Sequence, residues 1–122
     1  MNEGSKEIKT YHELLQLKIN EYVHGVYQLT KNFPNDELYG VTAQTRRSSL
    51  SVALNYVEGY ASGRAKAHKN FLEISYGSLK ESLYLLDFSY IEGYIKNKDG
   101  YERLKTQGLE IGAMLWGIIR RM

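Results

Sequence analysis

Apolar residues recur at every third or fourth position along most of the chain. The first such segment covers residues 8–32, and its periodic positions include Leu15, Ile19 and Val26. This spacing places the apolar side chains on one stripe of an α-helix. Three further segments with helical period cover residues 36–60, 66–96 and 99–121. Sustained alternation of apolar and polar residues is absent from the sequence, so β-strands are not expected.

Short connections separate the four predicted helices. The first helix is expected to end before Pro34, because the residue preceding a proline avoids the helical region. Asp36 and Glu37 suit the first turn of the second helix, where carboxylates complement the helix dipole. Asn97–Gly100 predicts a turn before the fourth helix. Four long helices with short connections predict an all-α fold: an antiparallel, up-down-up-down four-helix bundle.

The length and composition fit a single domain formed by residues 1–122, with a flexible segment at 1–7. Of its 122 residues, 43% are hydrophobic and 25% are charged, which is typical of a globular protein. The sequence contains no cysteine, so disulfides and cysteine-based zinc sites are excluded. No apolar run approaches the ~20 residues of a membrane span, and the acidic N-terminus does not resemble a secretory signal. A cytoplasmic protein without membrane contact is expected.

The sequence contains no motif typical of an enzyme. A phosphate-binding loop, a serine nucleophile elbow and a cysteine nucleophile are all missing. A di-iron bundle needs two Glu-x-x-His motifs, and this chain has one, from Glu21 to His24. No pair of carboxylates is singled out for hydrolysis. We expect no catalytic residue, no metal site and no cofactor, although a catalytic cleft between helices remains a third alternative.

A basic run at the predicted start of the third helix is the most suggestive feature for function. Arg64, Lys66, His68 and Lys69 lie there, and residues 59–72 contain no acid. Cations at a helix N-terminus oppose the helix dipole, whereas the exposed backbone N–H groups favour an anion. A phosphate would satisfy both, so the run is interpreted either as a nucleic-acid backbone site or as an ordinary solvated loop. The further candidate nucleic-acid contacts are Arg46, Arg47, Arg120 and Arg121.

A set of polar residues falls on one face of the second helix. Arg47, Ser51, Asn55 and Glu58 are separated by four, four and three positions, and residues so spaced share a helix face. Glu81 of the third helix is a candidate partner for the arginine. The favoured interpretation is a structural network that fixes the register of the two helices, and the alternative is a binding or catalytic cluster.

Glycine and tyrosine are frequent inside the predicted helices. Each helical glycine costs about 1 kcal/mol relative to alanine, so close approach of a neighbouring helix is the expected compensation. In particular, a glycine of the third helix would face the serines of the second. The chain has eleven tyrosines, and pairs such as Tyr56 and Tyr60 are expected to pack rather than stack on bases. The four helical glycines are Gly77, Gly108, Gly112 and Gly117.

Five short motifs occur in order along residues 11–120. They are Phe33-Pro34, Glu37-x-Tyr39-Gly40, Gln44-x-Arg46-Arg47, Asn55-x-x-Glu58-Gly59 and Gly77-Ser78-Leu79-x-Glu81. As an ordered set they resemble the four-helix-bundle family of 23S rRNA intervening-sequence proteins. That family includes the accessory variability determinant of diversity-generating retroelements.

The resemblance implies antiparallel four-helix bundles that assemble into ring-like homopentamers without enzymatic activity. It further implies, for the retroelement members, binding of RNA or DNA and association with a reverse transcriptase. The expected function is therefore a non-catalytic, homo-oligomeric accessory protein that binds nucleic acid. The alternative is an intervening-sequence protein that acts as a structural or protein-interaction module without nucleic acid. Ala67 and Asn70 depart from the family pattern, in which a Ser or Thr and an acid precede the phenylalanine of the third helix, and they leave this surface more basic.

Overall fold

The computed structural model describes residues 10–122, so the segment predicted to be flexible, 1–7, lies outside the described residues. Four long helices account for most of this range, and it contains no β-strand. The predicted all-α class with four helices is confirmed. The elements are α1 (Tyr11–Thr30), a single 3-10 turn (Asn35–Glu37), α2 (Val41–Ala61), α3 (Ala65–Ile91) and α4 (Lys98–Ile119).

Helix α1 begins at a capping box and ends shortly before the proline. The Thr10 hydroxyl accepts a hydrogen bond from the Glu13 backbone N–H at 3.0 Å, and the Glu13 carboxylate accepts one from the Thr10 N–H at 3.1 Å. These bonds satisfy N–H groups that would otherwise lack a partner. At the other end Thr30 is the last helical residue. Phe33, just before the proline, is buried in the core.

Helix α2 begins at Val41, later than the predicted residue 36. Asp36 and Glu37 form the 3-10 turn instead, and Gly40 breaks the helical backbone with φ −111° and ψ −110°. The Glu37 carboxylate nevertheless accepts a hydrogen bond from the Val41 N–H at 3.2 Å. A negative charge therefore lies at the N-terminus of α2, as the acidic residues indicated, although it comes from outside the helix.

Helix α3 ends at Ile91, so the predicted end at residue 96 is wrong. Gly93 adopts a positive φ of 83°. Its N–H donates to the Tyr90 carbonyl at 3.1 Å, and the N–H of Tyr94 donates to the Ser89 carbonyl at 2.9 Å. This pair of bonds is the Schellman motif, which closes a helix at a glycine.

The predicted turn at Asn97–Gly100 is also wrong, because these residues start α4. Asn97 is the N-cap, and its side-chain oxygen accepts a hydrogen bond from the Gly100 N–H at 2.9 Å. Lys98 and Asp99 are already helical. Asparagine is a favoured residue both in turns and at helix N-caps, for the same hydrogen-bonding reason.

The four helices share one apolar core and make a helical bundle. Helices α1 and α3 each pack against α2 and α4. Two wholly buried tyrosines connect the helices through hydrogen bonds. The Tyr22 hydroxyl lies 2.7 Å from the Ser82 hydroxyl, and the Tyr56 hydroxyl lies 2.8 Å from His12 Nδ1. The other fully buried side chains include Leu15, Ile19, Val26, Val52, Leu72, Leu79, Leu86, Ile111 and Leu115.

Short hydroxyl side chains join α2 to α3. The Ser51 and Ser78 hydroxyls lie 2.7 Å apart, and the Ser75 hydroxyl donates to the Val52 carbonyl at 2.8 Å. Small side chains allow the backbones of the two helices to approach closely, which is why a serine can reach a carbonyl of the neighbouring helix. None of the described helices is long and apolar enough to cross a membrane.

Two of the four helical glycines lie where another helix comes close. A Cβ added at Gly108 would lie 2.6 Å from Leu83, and one at Gly112 would lie 3.3 Å from Leu79. Gly77 has open space around it, so the expectation that a glycine of the third helix faces the serines of the second is wrong. Gly117 also has open space around it.

Candidate nucleic-acid interface

The start of α3 presents backbone N–H groups without a side-chain cap. Arg64 occupies the N-cap position in an extended conformation (φ −122°, ψ 137°), and its side chain makes no capping hydrogen bond. The first turn of α3 contains no acidic residue. Arg64 and Lys66 are exposed, and Lys69 is half-buried. Positive side chains and unpaired N–H groups therefore occupy the same surface, which favours an anion.

An open cavity of about 780 Å³ lies at this helix start. The nucleic-acid contacts predicted from the sequence did not include Asn70 or Glu73, which line this cavity. The sequence did contain a signal for them: they follow Lys66 by four and seven positions, and residues so spaced lie on the same face of a helix. Glu73 is the acid of this surface, and it lies more than 4 Å from the nitrogens of the three neighbouring cations. The lining residues are Arg64, Lys66, Ala67, Lys69, Asn70 and Glu73.

The last part of α4 packs beside the first half of α3. The rings of Tyr76 on α3 and Trp116 on α4 lie 5.7 Å apart. Arg120 and Arg121 follow Trp116 by about one turn, and Lys69 precedes Tyr76 by about two turns. Both arginines are exposed. This ring contact places the last part of α4 beside the first half of α3, so two basic runs about 50 residues apart in the sequence lie on neighbouring helices.

We call this surface the cationic end; it comprises Arg64, Lys66, Lys69, Arg120 and Arg121. None of its five side chains forms an ion pair with any residue from 10 to 122. The ion pairs within that range lie elsewhere, between Lys18 and Glu110 at 3.2 Å and between Lys105 and Asp87 at 2.7 Å. No ion pair within the described helices therefore neutralises any of these five cations.

His68 does not belong to the cationic end, although the sequence placed it among the contacts. Its ring packs edge-on against Tyr60, with 4.6 Å between the ring centroids. His12 packs on the same tyrosine at 3.9 Å. The Nε2 atom of His68 is buried and has no hydrogen-bond partner within residues 10–122. The lack of a side chain at Gly59 leaves room for this ring, which is why it turns inward.

Arg46 and Arg47 also lie apart from the cationic end. Arg46 Nε donates to the Thr30 hydroxyl at 2.8 Å, and its guanidinium lies 5.1 Å from the centre of the Tyr27 ring. Arg46 therefore joins α2 to α1. Arg47 donates to the Gln44 side chain at 2.9 Å. The two arginines precede the end of α2 by about four turns, which separates them from the cationic end by roughly 20 Å.

The predicted polar network forms only in part. Asn55 Nδ2 donates to the Ser51 hydroxyl and carbonyl at 3.0 Å each. Ser51 continues this chain to Ser78 of α3. Glu58 and Glu81 are exposed, and neither forms an ion pair within the described part of the chain. Arg47 bonds to its own helix, so it does not reach Glu81, and the short serine side chains rather than charges join the two helices.

A second polar cluster, which the sequence did not indicate, joins α3 to α4. Asp87 accepts hydrogen bonds from the Tyr101 hydroxyl at 2.6 Å and from Lys105 Nζ at 2.7 Å. Partial burial alone would raise the pKa of Asp87, but the bonds from Lys105 and Tyr101 outweigh this effect and hold the pKa below its ordinary value. The Asp87 carboxylate in turn raises the pKa of Tyr101 to about 12. This cluster is a structural connection between the helices.

The tyrosines mostly pack against other side chains of the same chain. Tyr56 is buried, and the Tyr90 ring stacks on the Tyr101 ring with 4.2 Å between centroids and an interplanar angle of 2°. Tyr94 packs against Phe33 at 5.9 Å. Among residues 10–122, no three histidine or acidic side chains come together in a way that could hold a metal ion.

The fold and this surface define a small all-helical protein with an unpaired cationic end. The sequence model of the 23S rRNA-intervening sequence proteins matches residues 13–117. Because this match covers most of the chain, the chain belongs to that family.

A crystal structure at 1.70 Å resolution, of a protein with unknown function from the S23 ribosomal protein family of Bacteroides thetaiotaomicron VPI-5482, has a similar fold. The two sequences are 23% identical, and the superposition covers 91% of this chain and 99% of the other, with a TM-score of 0.82. No curated protein matches the sequence.

Proposed function

We propose that this chain is a non-catalytic, cytoplasmic, homo-oligomeric accessory protein that binds the backbone of RNA or DNA through its cationic end. The observation that carries the proposal is that the cations of the α3 start and the α4 end have no ion-pair partner in residues 10–122; they are Arg64, Lys66, Lys69, Arg120 and Arg121. Such a surface attracts a polyanion, and each phosphate it neutralises releases condensed counterions.

The chemistry of the surface indicates which features of a nucleic acid it would contact. Lysine and arginine side chains beside uncapped N–H groups suit phosphate oxygens, and such contacts carry no sequence information. The aromatic rings nearest this surface are occupied by packing, as in the Tyr60 and His68 pair. We therefore expect binding that depends strongly on salt and weakly on base sequence.

The proposal extends to the arrangement of helices and subunits. An antiparallel, up-down-up-down order is supported by two contacts at opposite ends of α1, from His12 to Tyr56 and from Thr30 to Arg46. A homopentamer and a reverse transcriptase as protein partner follow from the family resemblance alone. A reverse-transcriptase gene and a template repeat beside the gene for this chain would support a reverse transcriptase as its partner.

The test replaces the three cations of the α3 start, as Arg64→Glu, Lys66→Glu and Lys69→Glu together. The matched control carries Lys31→Glu, Lys98→Glu and Arg103→Glu, three exposed cations away from the cationic end. Binding is measured by fluorescence anisotropy with a labelled single-stranded RNA and with a DNA duplex, from about 50 to 200 mM salt. Helix content by circular dichroism verifies that both variants fold.

We expect the first variant to bind at least ~10-fold more weakly, with a shallower dependence on salt, because fewer counterions are released. The control should bind within about twofold of the wild type, a difference of less than ~0.5 kcal/mol. If both variants bind equally weakly, net charge rather than the cationic end determines the affinity. If the first variant binds as tightly as the wild type, the proposal is overturned.

The second candidate function is a structural or protein-interaction module without a nucleic-acid role. The observation that favours it is the number of large apolar side chains left in solvent, among them Leu54 at 56% and Ile91 at 80% exposure. Where such side chains lie next to one another, apolar surface on a small protein is typical of interaction sites. A filter-binding assay that retains no RNA at low salt, together with a stable oligomer, would favour this function.

A further inference from the structure

A cavity of about 340 Å³ lies between α1, α4 and the connection that precedes α4. Its size falls within the range of small-molecule sites, roughly 300–1,000 Å³. No candidate contact for nucleic acid lines it, and it shares no residue with the cationic end. We call it the α1–α4 cavity. Its lining includes Glu21, Gly25, Lys96, Arg103, Leu104 and Gln107.

Packing fixes the inner wall of this cavity. Leu104 is 4% exposed, and a Cβ added at Gly25 would lie 2.5 Å from its Cδ2 atom. The missing side chain at Gly25 therefore lets Leu104 close the gap between α1 and α4. Tyr94, a further lining residue, is held by its hydrogen bond to Glu37 at 3.0 Å. Such a pre-formed cavity lowers the cost of ordering the protein around a ligand.

The lining carries charges of both signs that do not pair with each other. Glu21 of α1 and Arg103 of α4 are both exposed, and neither forms an ion pair within residues 10–122. Lys96 donates to the Gly93 carbonyl at 2.9 Å and likewise has no carboxylate partner in this range. A few charged groups placed around a cavity fix the orientation of a ligand that carries the opposite charges.

Two contacts give the alignment of α1 and α4. Leu104 lies against Gly25, and Lys18 pairs with Glu110 at 3.2 Å. Residue numbers therefore fall along α1 as they rise along α4. Because each residue rises 1.5 Å along its helix, the level of every lining residue follows from these two contacts.

The acceptors and the cation lie at different levels of the cavity. Glu21 is four residues before Gly25, and Gln107 is three residues after Leu104, so both lie about 5–6 Å to one side of the contact between these helices. Arg103 lies about 1.5 Å to the other side. The acceptor end and the cationic group are thus roughly 6–8 Å apart along the bundle.

Gln107 lacks a donor. Its Oε1 atom is buried and has no hydrogen-bond partner among residues 10–122, and a buried acceptor without a donor is unfavourable. The terminal torsion of a glutamine side chain is soft, so a small rotation turns this oxygen towards the cavity that the residue lines. An ammonium group beside Glu21 would donate both to the carboxylate and to the amide oxygen of Gln107.

We infer that the α1–α4 cavity binds a small zwitterion of dipeptide length, with an ammonium group at one end and a carboxylate at the other. The ammonium donates to Glu21 and Gln107, and the carboxylate accepts from Arg103. Two extended residues span about 7 Å, which matches the separation of these groups along the bundle. The inference does not depend on nucleic-acid binding.

The test measures the binding of four probes by isothermal titration calorimetry at about pH 7, where a free α-amino group is charged. Alanyl-alanine has the inferred length and both charges, and alanine has both charges at a shorter separation. N-acetyl-alanyl-alanine keeps only the carboxylate, and alanyl-alanine amide keeps only the ammonium.

We expect alanyl-alanine to bind with a Kd below ~1 mM and the other three probes to bind at least ~10-fold more weakly. The reason is that each of the three loses one of the two charged contacts. A Kd of alanyl-alanine above ~1 mM would overturn the inference. A blocked probe that binds as tightly as alanyl-alanine would overturn it as well, because one charge would then suffice.

Two variants remove one charge from each end of the cavity, Glu21→Gln and Arg103→Gln. Their matched controls are Glu102→Gln and Lys98→Gln, at exposed positions of α4 that do not line the cavity. All four positions are exposed, and circular dichroism verifies folding. We expect alanyl-alanine to bind at least ~10-fold more weakly to the first pair and within about twofold of the wild type to the controls.

Equal weakening by both pairs of variants would contradict the assigned contacts. Neither Glu21 nor Arg103 belongs to the cationic end, so the RNA titration should be unchanged in Glu21→Gln. The two titrations therefore fail or succeed independently, and a loss of dipeptide binding leaves the proposed nucleic-acid function in place.

Discussion

The Tyr22 hydroxyl donates a hydrogen bond to the Ser82 hydroxyl, 2.7 Å away, in the centre of the core between α1 and α3. The direction follows from Ser82, whose own proton is directed to the Leu79 carbonyl at 2.9 Å. Both side chains are fully buried, and burial raises the pKa of Tyr22 well above its ordinary value. Burial therefore keeps the Tyr22 hydroxyl protonated above the pH at which an exposed tyrosine ionises, so it can still donate this bond.

Tyr22→Phe should destabilise the fold by about 1–2 kcal/mol, because it removes the bond and leaves a buried hydroxyl oxygen with one fewer donor. Urea denaturation followed by circular dichroism measures the free energy of unfolding. The same change at Tyr84, which is 68% exposed, is the control and should be neutral. In the double variant with Ser82→Ala, the loss of unfolding free energy should be smaller than the sum of the two single losses, because both substitutions remove the same interaction. Strict additivity would contradict the bond.

Two glycine-to-alanine substitutions should have opposite effects on stability. At Gly108 the new Cβ would lie 2.6 Å from Leu83 and 3.2 Å from Tyr22, so we expect a loss of roughly 1–2 kcal/mol from overpacking. At Gly77 nothing lies within 4 Å, and the higher helix propensity of alanine should add up to ~1 kcal/mol. Thermal melts of the two variants beside the wild type test this, and a shift of the same sign at both positions would be evidence against the helix packing.

Asp87 should make the stability depend on pH in the acid range. Its folded pKa lies below the unfolded value of about 3.9, so its contribution is present above about pH 4 and is lost as the pH falls through the lower folded value. We expect Asp87→Asn to be less stable at neutral pH and to lose stability less steeply below about pH 4.

Urea midpoints from neutral pH down to about pH 2.5 measure this difference, with Asp36→Asn, on the exposed 3-10 turn, as the control. The control should follow the wild type across the range. A slope for Asp87→Asn identical to that of the wild type would show that the contact with Lys105 does not contribute.

The number and order of the helices were predictable because each apolar stripe is long and periodic. The end of α3 was not, since apolar residues such as Tyr94 and Ile95 continue the helical period beyond the glycine that closes the helix. Gly93 was the local signal, but a glycine within a periodic stretch does not by itself reveal a positive φ. The start of α2 was misplaced for a related reason, because an acidic pair suits a 3-10 turn as well as a first helical turn.

Part of the candidate site was predictable from the sequence. The run from Arg64 to Lys69 was found as local charge, whereas the position of Arg120 relative to it depends on how far α4 extends beside α3, which is a property of the packed fold. The inward turn of His68 depends on the space beside Gly59, and the engagement of Arg46 depends on Thr30 of another helix. Such contacts between distant segments are not encoded in residue spacing along one helix.

The hydrogen bond from Tyr94 to Glu37, at 3.0 Å, connects two linkers. Glu37 belongs to the stretch between α1 and α2, and Tyr94 to the stretch between α3 and α4. This bond thus ties the α1–α2 connection to the α3–α4 connection, so that the first two helices and the last two helices are held together by a contact outside the apolar core.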